Sequence, residues 1–333
     1  MAGQVVIISR TPLRMSFAGG GTDLPAFCDA HGGAVVSTTI DKWIRVIVNQ
    51  RFEGDVRVGY SEIEIVPDVN HVRHELVRET MRRTGIPRGV DVLTLADVPS
   101  RGTGLGSSSA VTVGLLNALY AFQGIAKPAM ALADEASEIE IGVLGKPIGR
   151  QDQYAAAVGG CNLIEFLPGG AGVRVSPLIT PAGTLERLHA HLLLFYTGMA
   201  RGSDDILRAQ GERVSMGTGV QTMVGMRELA YEMRDCLGAG DVEGVGGLMQ
   251  RGWELKVAAA PEAGNDEIRD AFTRAHRSGA VGGKALGAGG GGFLLLFVPP
   301  VSQADVREAL EHLREIPFRF ASRGTEILLL EHA

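Results

Sequence analysis

At 333 residues, with 45% apolar content and mixed charge, the chain is too long for one small core and fits one large or two ordinary domains. A net charge of −6 and the lack of any dense Lys/Arg tract argue against a nucleic-acid partner. The scattered Cys28, Cys161 and Cys236 suit reduced thiols better than a disulfide framework, and no apolar run approaches bilayer length. The opening Met1-Ala-Gly-Gln-Val has no basic segment ahead of an apolar core, so no signal peptide is expected and the cytoplasm is the expected location.

Strand patterns open the chain at Val5–Ile8, Met15–Phe17 and Trp43–Asn49, followed by Val56–Tyr60 and Ile63–Val66. A helix is expected over about Asn70–Thr84, a mostly buried strand over Val90–Val98, and a helix from the serines at 107–109 to Gly124. A second long helix is expected near Pro128–Leu144, with Leu132, Ala136, Ile139 and Val143 on one face, and then strands Cys161–Phe166 and Val173–Leu178. Pro177–Gly183 reads as a linker. Beyond it come a strand at His191–Tyr196, three or four helices over 203–278, a strand at Phe293–Val298, a helix near 302–315, and strands near Phe318 and Ile327–Glu331. The pattern predicts an α+β protein with mixed sheets, divided into residues 1–184 and 185–333.

Between the strand at 90–98 and its helix lies Pro99-Ser-Arg-Gly-Thr-Gly-Leu-Gly-Ser-Ser-Ser-Ala110. Glycines let a backbone approach a ligand, and a helix start offers unpaired N–H groups and a positive dipole end, so strand, glycine loop and hydroxyl-rich helix start together describe a phosphate site. The plainer alternative is a glycine turn with a serine cap. No P-loop string occurs, and the single Gly-x-Gly-x-x-Gly, at Gly287, Gly289 and Gly292, runs into the strand pattern Phe293–Val298 rather than a helix, which disfavours a dinucleotide fold.

Three other segments bear chemistry. Arg10-Thr-Pro-Leu-Arg-Met-Ser-Phe-Ala-Gly-Gly-Gly-Thr-Asp-Leu-Pro-Ala-Phe27 flanks a glycine turn with Arg14 and Asp23, which taken singly read as a surface charge and a turn residue. Glu138 to Tyr154 places Glu140 between two isoleucines and Asp152 after a glycine turn, where a helix cap is its plain role. Gly282 to Phe293 is a glycine-dense hairpin. The pairs His71/His74 and His189/His191 lack a nearby Cys or an HExxH pattern, so a zinc site is not expected.

In this order and over nearly the whole chain, these segments resemble the signatures of the GHMP kinases, and the opening segment resembles the branch acting on D-glycero-D-manno-heptose 7-phosphate. The resemblance implies an N-terminal domain like ribosomal protein S5 domain 2, a ferredoxin-like C-terminal domain and a site between them. It implies that Gly102, Gly104, Leu105, Gly106, Ser107, Ser108 and Ser109 wrap the phosphates of ATP, with Ser108 and Glu140 as Mg²⁺ ligands. Asp152 would face the acceptor hydroxyl with Arg14 beside it, Thr22 and Asp23 would meet the sugar, and Gly287–Gly292 would line the cleft, with Gly289 and Gly290 against the substrate. Phosphoryl transfer asks for alignment and cations around developing charge, which such a set supplies.

Galactokinases carry Glu-His where this chain has Gly20-Gly21. Gly19, Gly20 and Gly21 are therefore expected to admit a longer, phosphorylated sugar, with Arg201 as a partner for its phosphate or simply a surface charge. The expected partners are ATP and a sugar phosphate, with self-association into a homodimer open. The expected product is the 1,7-bisphosphate; the rival readings are another sugar 1-kinase, fucokinase- or galactokinase-like, and a non-catalytic sugar sensor with the same fold.

Overall fold

The structure, a computed structural model, describes residues 5–99, 102, 104–199 and 203–332. Strand β1 (Val5–Ala18) leads through helix α1 (Pro25–His31) to a second long strand, β2 (Gly33–Gln50). Next come β3 (Val56–Gly59), β4 (Ile63–Val66), α2 (Glu75–Thr84), β5 (Val90–Ala96) and α3 (Ser107–Phe122). Helices α4 (Ala129–Ser137) and α5 (Gln151–Val158) precede β6 (Cys161–Phe166), β7 (Val173–Pro177) and α6 (Thr184–Ala190). The later part holds β8 (Leu192–Tyr196), α7 (Ser203–Ser215), α8 (Val220–Gly238), α9 (Glu243–Ala259) and α10 (Asp266–Arg277). It closes with β9 (Gly282–Ala285), β10 (Phe293–Phe297), α11 (Gln303–Ala309), β11 (Arg314–Glu315), β12 (Phe320–Ala321) and β13 (Glu326–His332).

Val5–Ile8 and Met15–Phe17 are one strand. Pro12 does not break it, because the pairing of β1 with β2 shifts register between Pro12 and Leu13 and so absorbs the missing N–H. The first half of β2, Gly33–Ile40, is buried throughout, so it lacks the alternation that marks Trp43–Asn49. The helix expected to end near Leu144 is α-helical only to Ser137; Glu138–Val143 is a π-helix, with Leu144 N–H donating to Ile139 C=O at 2.9 Å.

The first sheet runs β13-β1-β2-β5-β3-β4, and β2 holds β6, β12 and β5 in succession along the edge opposite β1. Its pairs are antiparallel except β3–β5, which makes this sheet mixed. The second sheet, β11-β8-β10-β9, is antiparallel throughout rather than mixed, in the strand order of a ferredoxin-like fold. A unit of residues 185–333 does not keep its own ends: β12 pairs with β2 and β13 with β1, so the chain returns to the first sheet. The reason is packing continuity, since one apolar core runs from Ile7, Val46 and Leu119 to Met233, Met249, Phe293 and Phe297.

The returning strand is fastened by a small polar knot. Thr325 Oγ1 lies 2.8 Å from Thr11 Oγ1 and accepts from Asn117 Nδ2 at 3.0 Å. Replacing Thr325 by Val strands the buried Thr11 hydroxyl and is expected to lower the unfolding free energy by about 1–3 kcal/mol in a urea melt, with turnover unaffected. An unchanged melt would show that the knot contributes nothing.

Candidate active site

Arg14 projects from the middle of β1 with 4% of its side chain exposed. Its Nε and Nη2 lie 2.7 and 2.6 Å from the same oxygen, Asp152 Oδ1, and its Nη1 donates to the Gly104 carbonyl. The Arg14 backbone N–H donates to Leu105 C=O at 3.0 Å. One residue therefore ties the glycine loop and the start of α5 to the first sheet. Asp152 Oδ2 has no partner among the described residues.

Asp23 sets the position of Asp152. Its carboxylate accepts from Gly21 N–H at 3.1 Å, from Gln151 N–H at 3.0 Å and from Gln151 Nε2 at 3.2 Å, and so caps the first turn of α5 from a distant part of the chain. Three of about four acceptor positions are filled, which leaves room for one ligand hydroxyl. Burial raises the Asp23 pKa, and the neighbouring Asp152 carboxylate adds to the rise against the bonds from Gln151 and Gly21.

The glycine loop meets a second one. A Cβ on Gly104 would stand 2.3 Å from Leu286 C=O, and one on Gly287 would stand 2.4 Å from Gly104 Cα, so the two backbones touch where any side chain would separate them. Gly106, at φ 74°, turns the chain into α3, whose first residues Ser107, Ser108 and Ser109 line the cleft. Behind Ser108 lies Glu140, fully buried, accepting from Ser108 Oγ at 2.9 Å and from Gln153 Nε2 at 3.0 Å. The π-helix carries this carboxylate, and burial raises its pKa, opposed by Lys146 and these hydrogen bonds.

The resulting cleft has a volume of about 920 Å³. It brings together Arg14, Asp152, Asp23, Gly21, Gly102, Gly104, Gly106, the three serines and Gly289. Leu105 is buried behind it, as is Glu140; Gly19, Gly20, Thr22 and Gly290 do not line it. Thr22 Oγ1 donates to the Gly19 and Ala34 carbonyls, and the Gly21 N–H is taken by Asp23, so the turn at Gly19–Gly21 is braced from both sides. Arg201 lies outside the described residues. His71 and His74 serve Asp68 and the Val77 N–H, and His189 and His191 meet backbone carbonyls.

Two buried lysines join the site that the sequence reading passed over. Lys256 of α9 lines the cleft and donates to Gly287 C=O; Lys284 of β9 lies 3.3 Å from Ser16 Oγ. A signal existed for the first, since Val245, Met249, Trp253 and Lys256 share the buried stripe of α9. Lys284, between a glycine and an alanine, offers no periodicity to read.

The Ser108 hydroxyl and the Glu140 carboxylate fit a Mg²⁺ ion in kind. Mg²⁺ takes hard oxygens, with one or two from protein and the rest from phosphate and water, and a buried carboxylate with a raised pKa gains from a nearby cation. Among the described residues no cluster of three or more His, Cys, Asp or Glu offers an all-protein cage. No described helix is long and apolar enough to cross a membrane.

Residues 70–160 match the family model of the GHMP kinases N terminal domain, and residues 233–315 match that of the GHMP kinases C terminal domain. The chain is 31% identical over 316 residues to the D-glycero-alpha-D-manno-heptose 7-phosphate kinase of Campylobacter jejuni, covering 91% of this chain and 93% of that one. It is 26% identical to the bifunctional fucokinase/GDP-fucose pyrophosphorylase of Arabidopsis thaliana, over 91% of this chain and 31% of that much longer protein. Among solved structures, a D-glycero-D-manno-heptose 1-phosphate kinase from Bacteroides thetaiotaomicron superposes with a TM-score of 0.79 at 25% identity, over 97% of this chain and 99% of that one. Domain models in both halves, joined to a relative matched almost end to end, place the chain in the GHMP kinase family, as an ATP-dependent phosphotransferase.

Proposed function

We propose that this sugar kinase transfers the γ-phosphoryl group of ATP to the anomeric C1 hydroxyl of D-glycero-D-manno-heptose 7-phosphate, forming the 1,7-bisphosphate. One observation carries the reading. Arg14 grips Asp152 through Oδ1 alone and leaves Oδ2 unpartnered among the described residues, 3.2 Å from where a side chain on Gly106 would begin. A carboxylate held in this way beside a helix N-terminus sits where an acceptor hydroxyl meets a terminal phosphate.

The phosphates of ATP lie along Gly102–Ser109 and the start of α3. The acceptor hydroxyl donates to Asp152 Oδ2, its oxygen bonds to the γ-phosphorus, the bond to the β–γ bridging oxygen breaks, and ADP leaves with that electron pair. The hydroxyl proton passes to Asp152, and Arg14 keeps this carboxylate aimed. Ser108 and Glu140 hold Mg²⁺, which neutralises phosphate charge when bound. Asp23 contributes its last acceptor position to a sugar hydroxyl. The substrate assignment is supported by the likeness to the Campylobacter jejuni enzyme. The name of the Bacteroides structure puts the acceptor's phosphate at C1 instead, and the Arabidopsis relative points to an unphosphorylated sugar.

Turnover with Mg-ATP is expected for the heptose 7-phosphate, and not for the heptose 1-phosphate, L-fucose or galactose; preference for any of these three would replace the substrate named here. Asp152→Asn should lower kcat by about 10²–10⁴-fold without unfolding the protein, and a variant with full kcat would remove Asp152 from the reaction. Glu140→Gln keeps the bonding partners but removes a buried charge. We expect the ligand-free variant to melt at the wild-type temperature or about 2–4 °C above it, while Mg-ATP no longer raises its melting point as it does for wild type. Equal stabilisation by Mg-ATP in both proteins would contradict the metal assignment.

A further inference from the structure

Lys256 is an ammonium in a place that does not favour one. The residue is 5% exposed, it projects from the apolar stripe of α9, and its one hydrogen bond among the described residues is to the Gly287 carbonyl. No carboxylate forms an ion pair with it among the described residues. An ammonium has three donors, and Asp23 and Asp152 act on this one without bonding to it, so a buried side chain with donors to spare is left to be completed by an anion. Of the cleft's other cations among the described residues, Arg14 pairs with Asp152, Lys146 with Glu75 at 2.9 Å and Arg73 with Glu62 at 3.2 Å, while Arg208 is exposed and keeps its charge in water.

The position says which anion. Gly287, which takes the Lys256 proton donor, is the glycine that touches Gly104 of the phosphate loop. The charged side chains acting on Lys256 are Arg14 from β1, Asp152 from α5, Asp23 from the turn after β1, and Lys284 from β9. Lys256 therefore stands where the phosphate loop, the acceptor-side carboxylate and the later half of the chain converge. We infer that Lys256 is a catalytic residue that donates to the oxygens of the phosphoryl group in transit, opposite the start of α3.

The inference rests on the reading of Asp152 as the acceptor-side carboxylate. It adds a second cation, supplied by the ferredoxin-like half, to a transfer in which Lys256 itself makes and breaks no covalent bond. Charge develops on the phosphoryl oxygens as the group moves, and a fixed ammonium in a water-poor site lowers that barrier more than it tightens the ground state. Lys284 lies deeper and does not line the cleft; burial and the charges of Lys256 and Arg14 push its pKa well down.

The test compares wild type, Lys256→Met, and Lys256→Cys before and after aminoethylation, on the heptose 7-phosphate, on free sugars, and on slow ATP hydrolysis with water as acceptor. We expect Lys256→Met to lose about 100-fold or more in kcat on every acceptor that wild type uses, with KM for ATP and sugar changed only a few-fold and no fall in melting temperature. Aminoethylation of Lys256→Cys should restore turnover. Burial and Arg14 push the Lys256 pKa down to about 8, so wild-type kcat/KM should fall as pH rises through that value, and the less basic aminoethyl-cysteine should move the limb lower.

Retained kcat in Lys256→Met would overturn the inference. So would a defect confined to KM for phosphorylated sugar, which would assign Lys256 to the substrate's own phosphate. If Lys256→Met does not fold, the aminoethylation arm decides. If wild type turns over no sugar, the substrate reading fails separately and the ATP-hydrolysis arm still decides the role of Lys256.

Discussion

Two backbones that touch organise this molecule. Gly104 and Gly287 come so close that a Cβ on either would overlap the other strand of chain, and this contact joins the Gly102–Ser109 loop to the β9–β10 hairpin. Everything in the site is placed relative to it. Arg14 binds the Gly104 carbonyl and holds Asp152, Lys256 binds the Gly287 carbonyl from α9, and α3 begins three residues past Gly104. The close packing continues behind the hairpin, where Gly246 of α9 leaves no space for a side chain against Phe297. Helical glycines there serve helix–sheet contact, at the usual cost in helix propensity.

The site is held at some expense to the free protein's stability. Asp23 and Glu140 have pKa values raised by burial, so they bind protons more tightly folded than unfolded, and stability falls as pH rises through the ordinary carboxylate range toward their folded values. Lys256 and Lys284 are shifted down by burial, so the unfolded chain binds more protons than the native one between the lowered values and the ordinary one, and stability rises with pH there. Near neutral pH these groups together weaken the empty protein, and a ligand bringing phosphate, metal and hydroxyls offsets that. On the proposed roles of Asp23, Glu140 and Lys256, stability and function are opposed at these residues.

The sequence made the chemical parts of this site readable because they are local. The Gly102–Ser109 loop carries its meaning within one strand–loop–helix unit, and Arg14, Asp23, Glu140 and Asp152 each sit in short segments of unusual composition. What it concealed is non-local. The buried half of β2 has no alternation, the return of β13 to β1 has no signal in either strand, and the second role of Asp23, capping α5, depends on a contact across 128 positions. The same distance effect hid Lys256, whose meaning appears only when α9 is laid against Gly287. At Gly19–Gly21 the bracing too is invisible in the string, since the Gly21 N–H goes to Asp23 and the Thr22 hydroxyl to the Gly19 carbonyl.

The central claim is phosphorylation at the anomeric carbon of a heptose phosphate, and phosphorus NMR of the reaction mixture tests it most directly. With Mg-ATP and D-glycero-D-manno-heptose 7-phosphate, the account predicts a new phosphate monoester signal coupled to the anomeric proton, growing in step with ADP while the 7-phosphate signal persists. A new signal coupled to any other sugar proton, or ADP formed with no new sugar phosphate, would contradict it.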